Sequence, residues 1–129
     1  MKLSQSFTTN ATKALALLAT ETKGVMTAVV ATVDGFDVAS YSDGEIEVQK
    51  IAAMASSMGA IGAVVGEEGK VGACKSIIIE AETGFVAMVE INHPKYALIL
   101  TVVAHRSAVL GQLLYSARET AAMLAQLEA

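Results

Sequence analysis

Apolar residues recur every three to four positions in the first segment of the chain, Ser4 to Lys23, and in the last, Ser107 to Leu127. Such spacing places the apolar side chains on one face of a helix. Lys23 and Gly24 form a helix stop signal, since a cation suits the negative end of a helix and glycine is free to adopt a positive φ. The pattern therefore predicts an amphipathic helix near each end of the chain.

Five runs rich in β-branched and apolar residues lie between these helices, and each has the length of a strand. The first two runs are separated by Asp34 and Gly35, a pair that strongly favours a tight hairpin turn. Pro94 falls in the turn between the last two, where it removes no hydrogen bond from a strand. The last run is almost wholly apolar, as expected for a central strand with both faces covered. The predicted strands are residues 25–33, 36–41, 71–80, 85–91 and 96–104.

A third helix is predicted between the second and third strands. Ser42 and Glu45 form a capping box that would start it, and it would extend to about Gly66. Between Lys50 and Glu67 lie sixteen residues without a charge, and they separate by size when placed at 100° per residue. The large side chains on one side are Ile51, Met54, Met58, Ile61 and Val65. The small ones that cover much of the other side are Ala52, Ala55, Ser56, Gly59, Ala63 and Gly66.

The small-residue side of this helix requires an explanation, because a surface helix needs only one apolar face. A glycine inside a helix costs about 1 kcal/mol relative to alanine, so helix stability does not account for Gly59 and Gly62. We interpret the large side chains as the side that packs on the sheet. The small residues would then form a surface for very close contact with another polypeptide, either a second copy of this chain or a partner protein.

The predicted elements follow one another in the order α-β-β-α-β-β-β-α. Hairpins joined by tight turns make an antiparallel sheet, and helices on both faces of that sheet make three layers. The sequence therefore predicts an α+β fold, a three-layer α/β/α sandwich with a five-stranded antiparallel sheet. Neither a linker nor an internal repeat interrupts the pattern, and we expect a single domain over residues 4–127.

Composition favours a cytoplasmic homo-oligomer. Of the 129 residues, 53% are hydrophobic and only 17% are charged, which leaves little charge for the surface of a monomer, and a two-fold dimer is the commonest solution. The net charge of −4 argues against nucleic acid, which requires a basic patch. The uncharged stretch is shorter than the about 20 residues of a membrane span, so we expect no membrane insertion. The single cysteine, Cys74, suits a reducing compartment.

Residues that could carry catalysis do not form a recognised constellation. Gly69 and Lys70 lack the other residues of a P-loop at the required spacing. His93 and His105 fall at opposite ends of the fifth strand, too far apart to share a metal ion, and His93 is expected to be a turn residue. No base lies near Cys74 in the sequence to activate it as a nucleophile. We therefore predict no enzyme activity, no catalytic or metal-binding residue and no cofactor.

Residues 24–40, which read GVMTAVVATVDGFDVAS, resemble the opening hairpin of Roadblock-type (dynein light chain) domains. In that family a Gly-Val begins the first strand, Asp-Gly makes the turn and Ala-Ser closes the second strand. The alanine-rich middle helix, the strand from Tyr96 to Val103 and the segment Leu110 to Leu114 are similar to the same family, and the resemblance covers about residues 7–127. The family often has an asparagine before the last helix where this chain has His105 to Val109, a departure that concerns the helix cap.

The resemblance implies a dimer in which two sheets join edge to edge through the third strand and the two middle helices lie side by side. It also implies a non-catalytic regulator or adaptor of a small Ras-like GTPase, as among dynein adaptors and bacterial gliding-motility and polarity regulators. The middle helix carries no arginine, so it would act by shape and not through an arginine finger. The predicted dimer or partner interface comprises Ala52, Ala55, Ser56, Gly59, Gly62, Ala63, Gly66, Lys75, Ile77 and Ile79.

A small-ligand sensing module, or a general scaffold without a GTPase partner, is the alternative prediction, because a comparable sandwich can enclose a pocket. That alternative requires an apolar cavity with a few converging polar groups. The sequence by itself identifies no such groups.

Overall fold

The computed structural model describes residues 3–129, and this part of the chain contains three helices and five strands in the predicted order. The elements are α1 (Gln5–Glu21), β1 (Val25–Thr32), β2 (Asp37–Ser42), α2 (Val48–Glu68), β3 (Ser76–Glu80), β4 (Gly84–Asn92), β5 (Ala97–His105) and α3 (Leu110–Leu124).

The five strands form one antiparallel sheet in the order β2-β1-β5-β4-β3. The predicted hairpin joins β1 to β2, and in its turn Gly35 has φ +96° and donates its N–H to the carbonyl of Thr32 at 3.0 Å. β5 lies at the centre of the sheet between β1 and β4, which explains its almost wholly apolar sequence. The predicted fold class and the five-stranded antiparallel sheet are confirmed.

Two layers of helix cover the two faces of this sheet. Successive side chains of a strand point to opposite faces, and α1 and α3 pack on one face while α2 packs on the other. The main core lies between the sheet and the α1–α3 layer. Its largest fully buried side chains are Phe7, Leu15, Val30, Ile91, Leu98, Leu100, Val102, Leu113 and Leu124.

α1 and α3 run antiparallel to each other on their face of the sheet. At one end, Gly24 just after α1 lies against Ala108 just before α3. At the other end, the ring of His93 meets Phe7 in the first turn of α1, edge to face at 5.8 Å between centroids. The Nε2 of His93 donates to the carbonyl of Leu127, just after α3, at 2.7 Å. His93 thereby links the start of α1 to the end of α3.

His93 lies in the turn between β4 and β5, where the sequence predicts it, but it is a buried structural residue with 8% of its surface exposed. Its Nδ1 accepts a hydrogen bond from the N–H of Lys95 at 3.0 Å. Because a backbone N–H can only donate and a carbonyl can only accept, Nδ1 is the acceptor and Nε2 the donor of this ring. Its spatial neighbours come from distant parts of the chain, so no local sequence pattern predicts that His93 is buried and hydrogen-bonded.

The predicted capping box does not start α2. Ser42 is the last residue of β2 and pairs with Thr27 of β1, and its hydroxyl accepts from the N–H of Gly44 at 3.3 Å. The backbone pairing continues as the N–H of Asp43 donates to the carbonyl of Met26 at 3.1 Å. The hairpin therefore holds these residues extended, and the helix begins at Val48 without a side-chain cap.

The predicted third strand is too long at its start. Residues 71–75 are not in β3, which spans Ser76–Glu80 only. The N–H groups of Val71 and Gly72 both donate to the carbonyl of Gly66, at 3.0 and 3.3 Å, and these bonds close the end of α2. The residues that sequence alone assigns to the strand are needed to return the chain from the helix to the sheet.

α2 packs on the sheet chiefly through its small residues, so the predicted orientation of the helix is largely reversed, although Ile51 from the large side also packs on the cluster of Val29 and Ala52. Ala52 and Ala55 are fully buried, and Ala52 packs with Val29 of β1. Met54 and Ile61, from the large side, are 58% and 57% exposed. Periodicity separates two faces of a helix but does not identify which one meets the sheet. Here the bulky β-branched side chains belong to the sheet, and they pack against small residues of the helix.

The second half of α2 lies very close to the segment that returns to β3. A Cβ at Gly62 would lie 2.9 Å from the Sγ of Cys74 and 3.0 Å from the Cδ1 of Ile77. A Cβ at Gly66 would overlap the carbonyl oxygen of Gly72. A Cβ at Gly62 would require the ends of two side chains to move, whereas at Gly66 it would meet backbone. Glycine at position 66 therefore lets the helix approach the returning segment.

We expect Gly66→Ala to lower the free energy of unfolding by about 1–3 kcal/mol, because overpacking against backbone forces a shift. This loss would occur although alanine favours a helix by about 1 kcal/mol over glycine. Urea denaturation at one fixed protein concentration measures the change, since the stability of an oligomer depends on concentration.

Gly111→Ala is the matched control for this substitution. Gly111 is also helical, and a Cβ there meets nothing within 4 Å, so the control should raise the free energy of unfolding by up to about 1 kcal/mol. Equal effects of the two substitutions would contradict the close approach at Gly66.

Candidate functional site

The outer side of α2 is a continuous apolar surface. We call it the α2 flank and define it as Met54, Met58, Ile61, Val64 and Val65, which share one side of the helix at 100° per residue. Met58 is half-buried, and the other four are between 56% and 63% exposed. Single exposed apolar residues are ordinary, but a contiguous patch without charge marks an interaction site.

β3 is an unprotected edge of the sheet. Within residues 3–129 it pairs with β4 alone, so the backbone groups on its outer side have no strand partner. It contains three consecutive isoleucines, of which Ile79 is 37% exposed. Charged residues flank both edges of the sheet, Asp37 and Asp43 at β2 and Lys75 and Glu80 at β3, but β3 has the more apolar centre, and an apolar edge favours pairing. β3 is therefore the edge suited to adding another strand.

The α2 flank and the β3 edge lie on the same side of the molecule. The C-terminal half of α2 reaches β3, where Gly62 lies against Ile77. Ile77 and Ile79 alternate with Ile78, which packs on the main core under the other face. Their side chains therefore project to the face that carries α2, and the helix and the edge can contribute to one contact surface.

The structure divides the ten predicted interface residues by their exposure. Ala52, Ala55 and Gly66 are buried, Ser56, Gly59, Gly62 and Ile77 are half-buried, and Ala63, Lys75 and Ile79 are exposed. The buried residues are packed inside this chain and offer no surface to another polypeptide. The α2 flank is not among the predicted interface residues, although its large residues at helical spacing and its lack of charge are both evident in the sequence.

A groove of about 510 Å³ lies beside α2, over the end of the sheet that holds the β4–β5 turn. Lys75, Glu90 and Lys95 line it together with apolar residues, and all three are exposed without an ion pair to any described residue. His93 also lines it, but both its ring nitrogens are already hydrogen-bonded. Buried polar groups that would orient a small ligand do not converge there.

The two arginines of the chain are both held by groups of the chain itself. One guanidinium nitrogen of Arg106 donates to the carbonyls of Ala81 and Glu82, at 3.2 and 2.9 Å. Arg118 donates to the hydroxyl of Ser76 at 3.3 Å. Among residues 3–129, no three His, Cys, Asp or Glu side chains come close enough to hold a metal ion. The arrangement of this region suits contact with a polypeptide.

α2 also has the length and apolar composition of a membrane-crossing helix, and it is the one such helix in the described part of the chain. Only 11% of its most apolar 18-residue window is buried. A single helix of this kind is weak evidence for a membrane protein. Because the small side of α2 is packed on its own sheet, the helix could cross a membrane only by leaving the fold.

Solved structures share this arrangement of helices and sheet, whereas no family model and no curated protein matches the sequence. The Roadblock/LC7 domain from Streptomyces avermitilis superposes with a TM-score of 0.79 at 18% identity, over 88% of this chain and 92% of that one. The gliding protein MglB from Thermus thermophilus gives 0.85 at 16% identity, over 96% and 92%. An MglB with a tetrameric arrangement gives 0.86 at 18% identity, over 96% and 91%. The chain therefore has the fold of Roadblock/LC7 domains, which its sequence resemblance predicts.

Proposed function

We propose that this chain is a non-catalytic homodimer that regulates a small Ras-like GTPase or recruits it as an adaptor. One observation carries the proposal: the exposed apolar α2 flank lies on the same side of the molecule as the unpaired β3 edge. The α2 flank is a contiguous apolar patch without charge, and such patches mark interaction surfaces. The GTPase as partner follows from the Roadblock resemblance of the sequence, and the shared fold is consistent with it.

The dimer would form by antiparallel pairing of β3 with β3 of a second copy. Such pairing satisfies the backbone groups on the outer side of β3 and removes the edge that would otherwise favour aggregation. A two-fold axis through the strand brings the same patch of both copies together. The tetrameric arrangement of an MglB with this fold supports self-association as a property that the fold allows.

In this dimer the two α2 helices would lie on the same face of a ten-stranded sheet, and the α2 flank would be covered by the second copy and the GTPase. Complete burial of an isoleucine, valine or methionine side chain contributes about 1.5–3 kcal/mol. Four of the five flank residues are at present more than half exposed. Covering these four side chains would therefore contribute a substantial part of the free energy of association of a stable interface.

Regulation would act through the shape of the bound partner. Neither arginine lies on α2, and both are engaged by groups elsewhere in the chain. A GTPase docked on the α2 face would receive no arginine from it, so the effect on nucleotide turnover would arise from the conformation in which its switch segments are held. A soluble cytoplasmic protein is part of this proposal, as the composition of the sequence predicts.

We expect Ile61→Glu to weaken self-association at least tenfold, on the order of 1.4 kcal/mol or more, because it buries two unpaired carboxylates at a symmetric apolar contact. Sedimentation velocity over a concentration series measures the change. Val109→Glu is the control, since Val109 is 62% exposed and precedes α3, away from α2. An Ile61→Glu protein that dimerises like the unaltered chain would contradict the proposed interface.

The GTPase proposal is tested with a small Ras-like GTPase from the same organism, loaded with GDP or with a non-hydrolysable GTP analogue. We expect binding in at least one nucleotide state and its loss in Met54→Glu. Absence of binding in both states would overturn the GTPase proposal without affecting the dimer.

Regulation by shape is tested by turnover assays with Arg106→Lys and Arg118→Lys, which keep the charge but lose the fork geometry of a guanidinium. Neither should change the effect on GTP hydrolysis by more than about twofold, because we expect no arginine to reach the nucleotide. Loss of the effect in one variant that still binds the GTPase would identify a catalytic arginine instead.

A further inference from the structure

A second candidate surface lies on the opposite side of the sheet, in a groove between α1 and α3. We call it the α1–α3 groove, and its volume is about 640 Å³. Each helix contributes residues at positions i, i+3, i+4 and i+7, which form one ridge of a helix. These residues are Ala14, Leu17, Leu18 and Glu21 from α1, and Ser116, Glu119, Thr120 and Met123 from α3.

The shape of this groove suits a helix. Two antiparallel helices flank it, and eight consecutive residues of each span about 10–12 Å at 1.5 Å per residue. Two turns of a third helix have the same length. An amphipathic helix that lies between two others is a common mode of recognition, with anchors at i, i+3, i+4 and i+7.

Apolar side chains are exposed on both sides of the groove. Leu17 of α1 is 52% exposed and Met123 of α3 is 44% exposed. Their neighbours in the groove are small or uncharged, apart from two carboxylates. These exposed residues are not part of the α2 flank, because α1 and α3 cover the other face of the sheet. Dimerisation through β3 and α2 would therefore leave them exposed.

The two carboxylates in the groove, Glu21 and Glu119, have no basic partner among residues 3–129. Glu119 accepts a hydrogen bond from the hydroxyl of Tyr115 at 2.9 Å, and that bond and its negative charge raise the pKa of Tyr115. Arg118, although next to Glu119 in the chain, donates to Ser76 of β3. The residues that line the groove therefore carry two negative charges and no positive one.

Glu21 also occupies a position that is unfavourable for its own helix. It is the last residue of α1, and the last turn contains no basic residue. A carboxylate at the C-terminus of a helix is repelled by the helix dipole. A cation from outside the chain would relieve both this repulsion and the excess of negative charge in the groove.

We propose that the α1–α3 groove binds an amphipathic helix of another protein, one that carries lysine or arginine beside its apolar stripe. Apolar side chains of that helix would cover Leu17 and Met123, and its basic residues would pair with Glu21 and Glu119. A second copy of this chain fits the site poorly, because a two-fold contact through the groove would oppose carboxylates with carboxylates. This helix and the GTPase could bind at the same time, one in the α1–α3 groove and the other on the α2 face, as an adaptor requires.

The test uses two synthetic helical peptides of about 14 residues, long enough to cover the two turns of the groove with about one turn to spare at each end. Both carry leucine at i, i+3, i+4 and i+7, and they differ only in lysine or glutamate beside that stripe. Amide chemical shifts of the full-length protein are followed during titration. We expect the lysine peptide to bind with shift changes confined to α1 and α3, and the glutamate peptide to bind at least about tenfold more weakly.

Three variants separate the contributions to binding. Leu17→Ser combined with Met123→Ser should weaken binding of the lysine peptide by about tenfold or more, since it removes the apolar contacts. Glu21→Gln combined with Glu119→Gln should weaken it by about threefold to tenfold and reduce its dependence on salt. Val71→Ser is the control, because Val71 is 83% exposed in the segment between α2 and β3, and should leave binding unchanged.

Several outcomes would overturn this proposal. They are equal affinity for the two peptides, shift changes on α2 or β3, no binding of the lysine peptide up to about 1 mM, or loss of self-association in the Leu17 and Met123 variant. The last would identify a second copy of the chain as the occupant. None of these results bears on GTPase binding to the α2 face, which is measured separately with the Met54 variant.

Discussion

The close packing of the small side of α2 on the sheet determines what this molecule presents to its surroundings. Gly66 has no room for a side chain, Gly62 lies close to Cys74 and Ile77, and Ala52 and Ala55 are fully buried. A helix that approaches a sheet through its smallest residues must direct its large residues outward. The exposed apolar flank is therefore a consequence of internal packing as well as a surface for contact.

The two faces of the sheet consequently have different roles. Between the sheet and the α1–α3 layer lies a core of large buried side chains, and His93 ties the ends of that layer together. On the α2 side the buried cluster is small and centred on Ala52. The first layer contains most of the buried core, while the second makes a close but small contact with the sheet, and its outer side remains available for association.

Association on one face leaves the opposite face free. A β3-to-β3 dimer would extend the sheet sideways, so the outer side of the α1–α3 layer would stay accessible in both copies. Leu17 and Met123 lie on that layer beside two carboxylates, whereas the α2 flank has no charge. The two surfaces thus differ in electrostatics and would select different partners. An adaptor requires this separation, because two ligands that compete for one patch cannot be brought together.

The sequence by itself determined the order of the elements, the hairpin at Gly35 and the central place of β5, because these depend on local turn chemistry and on the period of apolar residues. It also determined that α2 has one side of large residues and one side of small residues. Only the tertiary structure decided that the small side of α2 packs on the sheet, that Ser42 belongs to a strand and that His93 is buried. Those outcomes depend on residues far apart in the chain, and periodicity carries no information about which neighbour a face will meet.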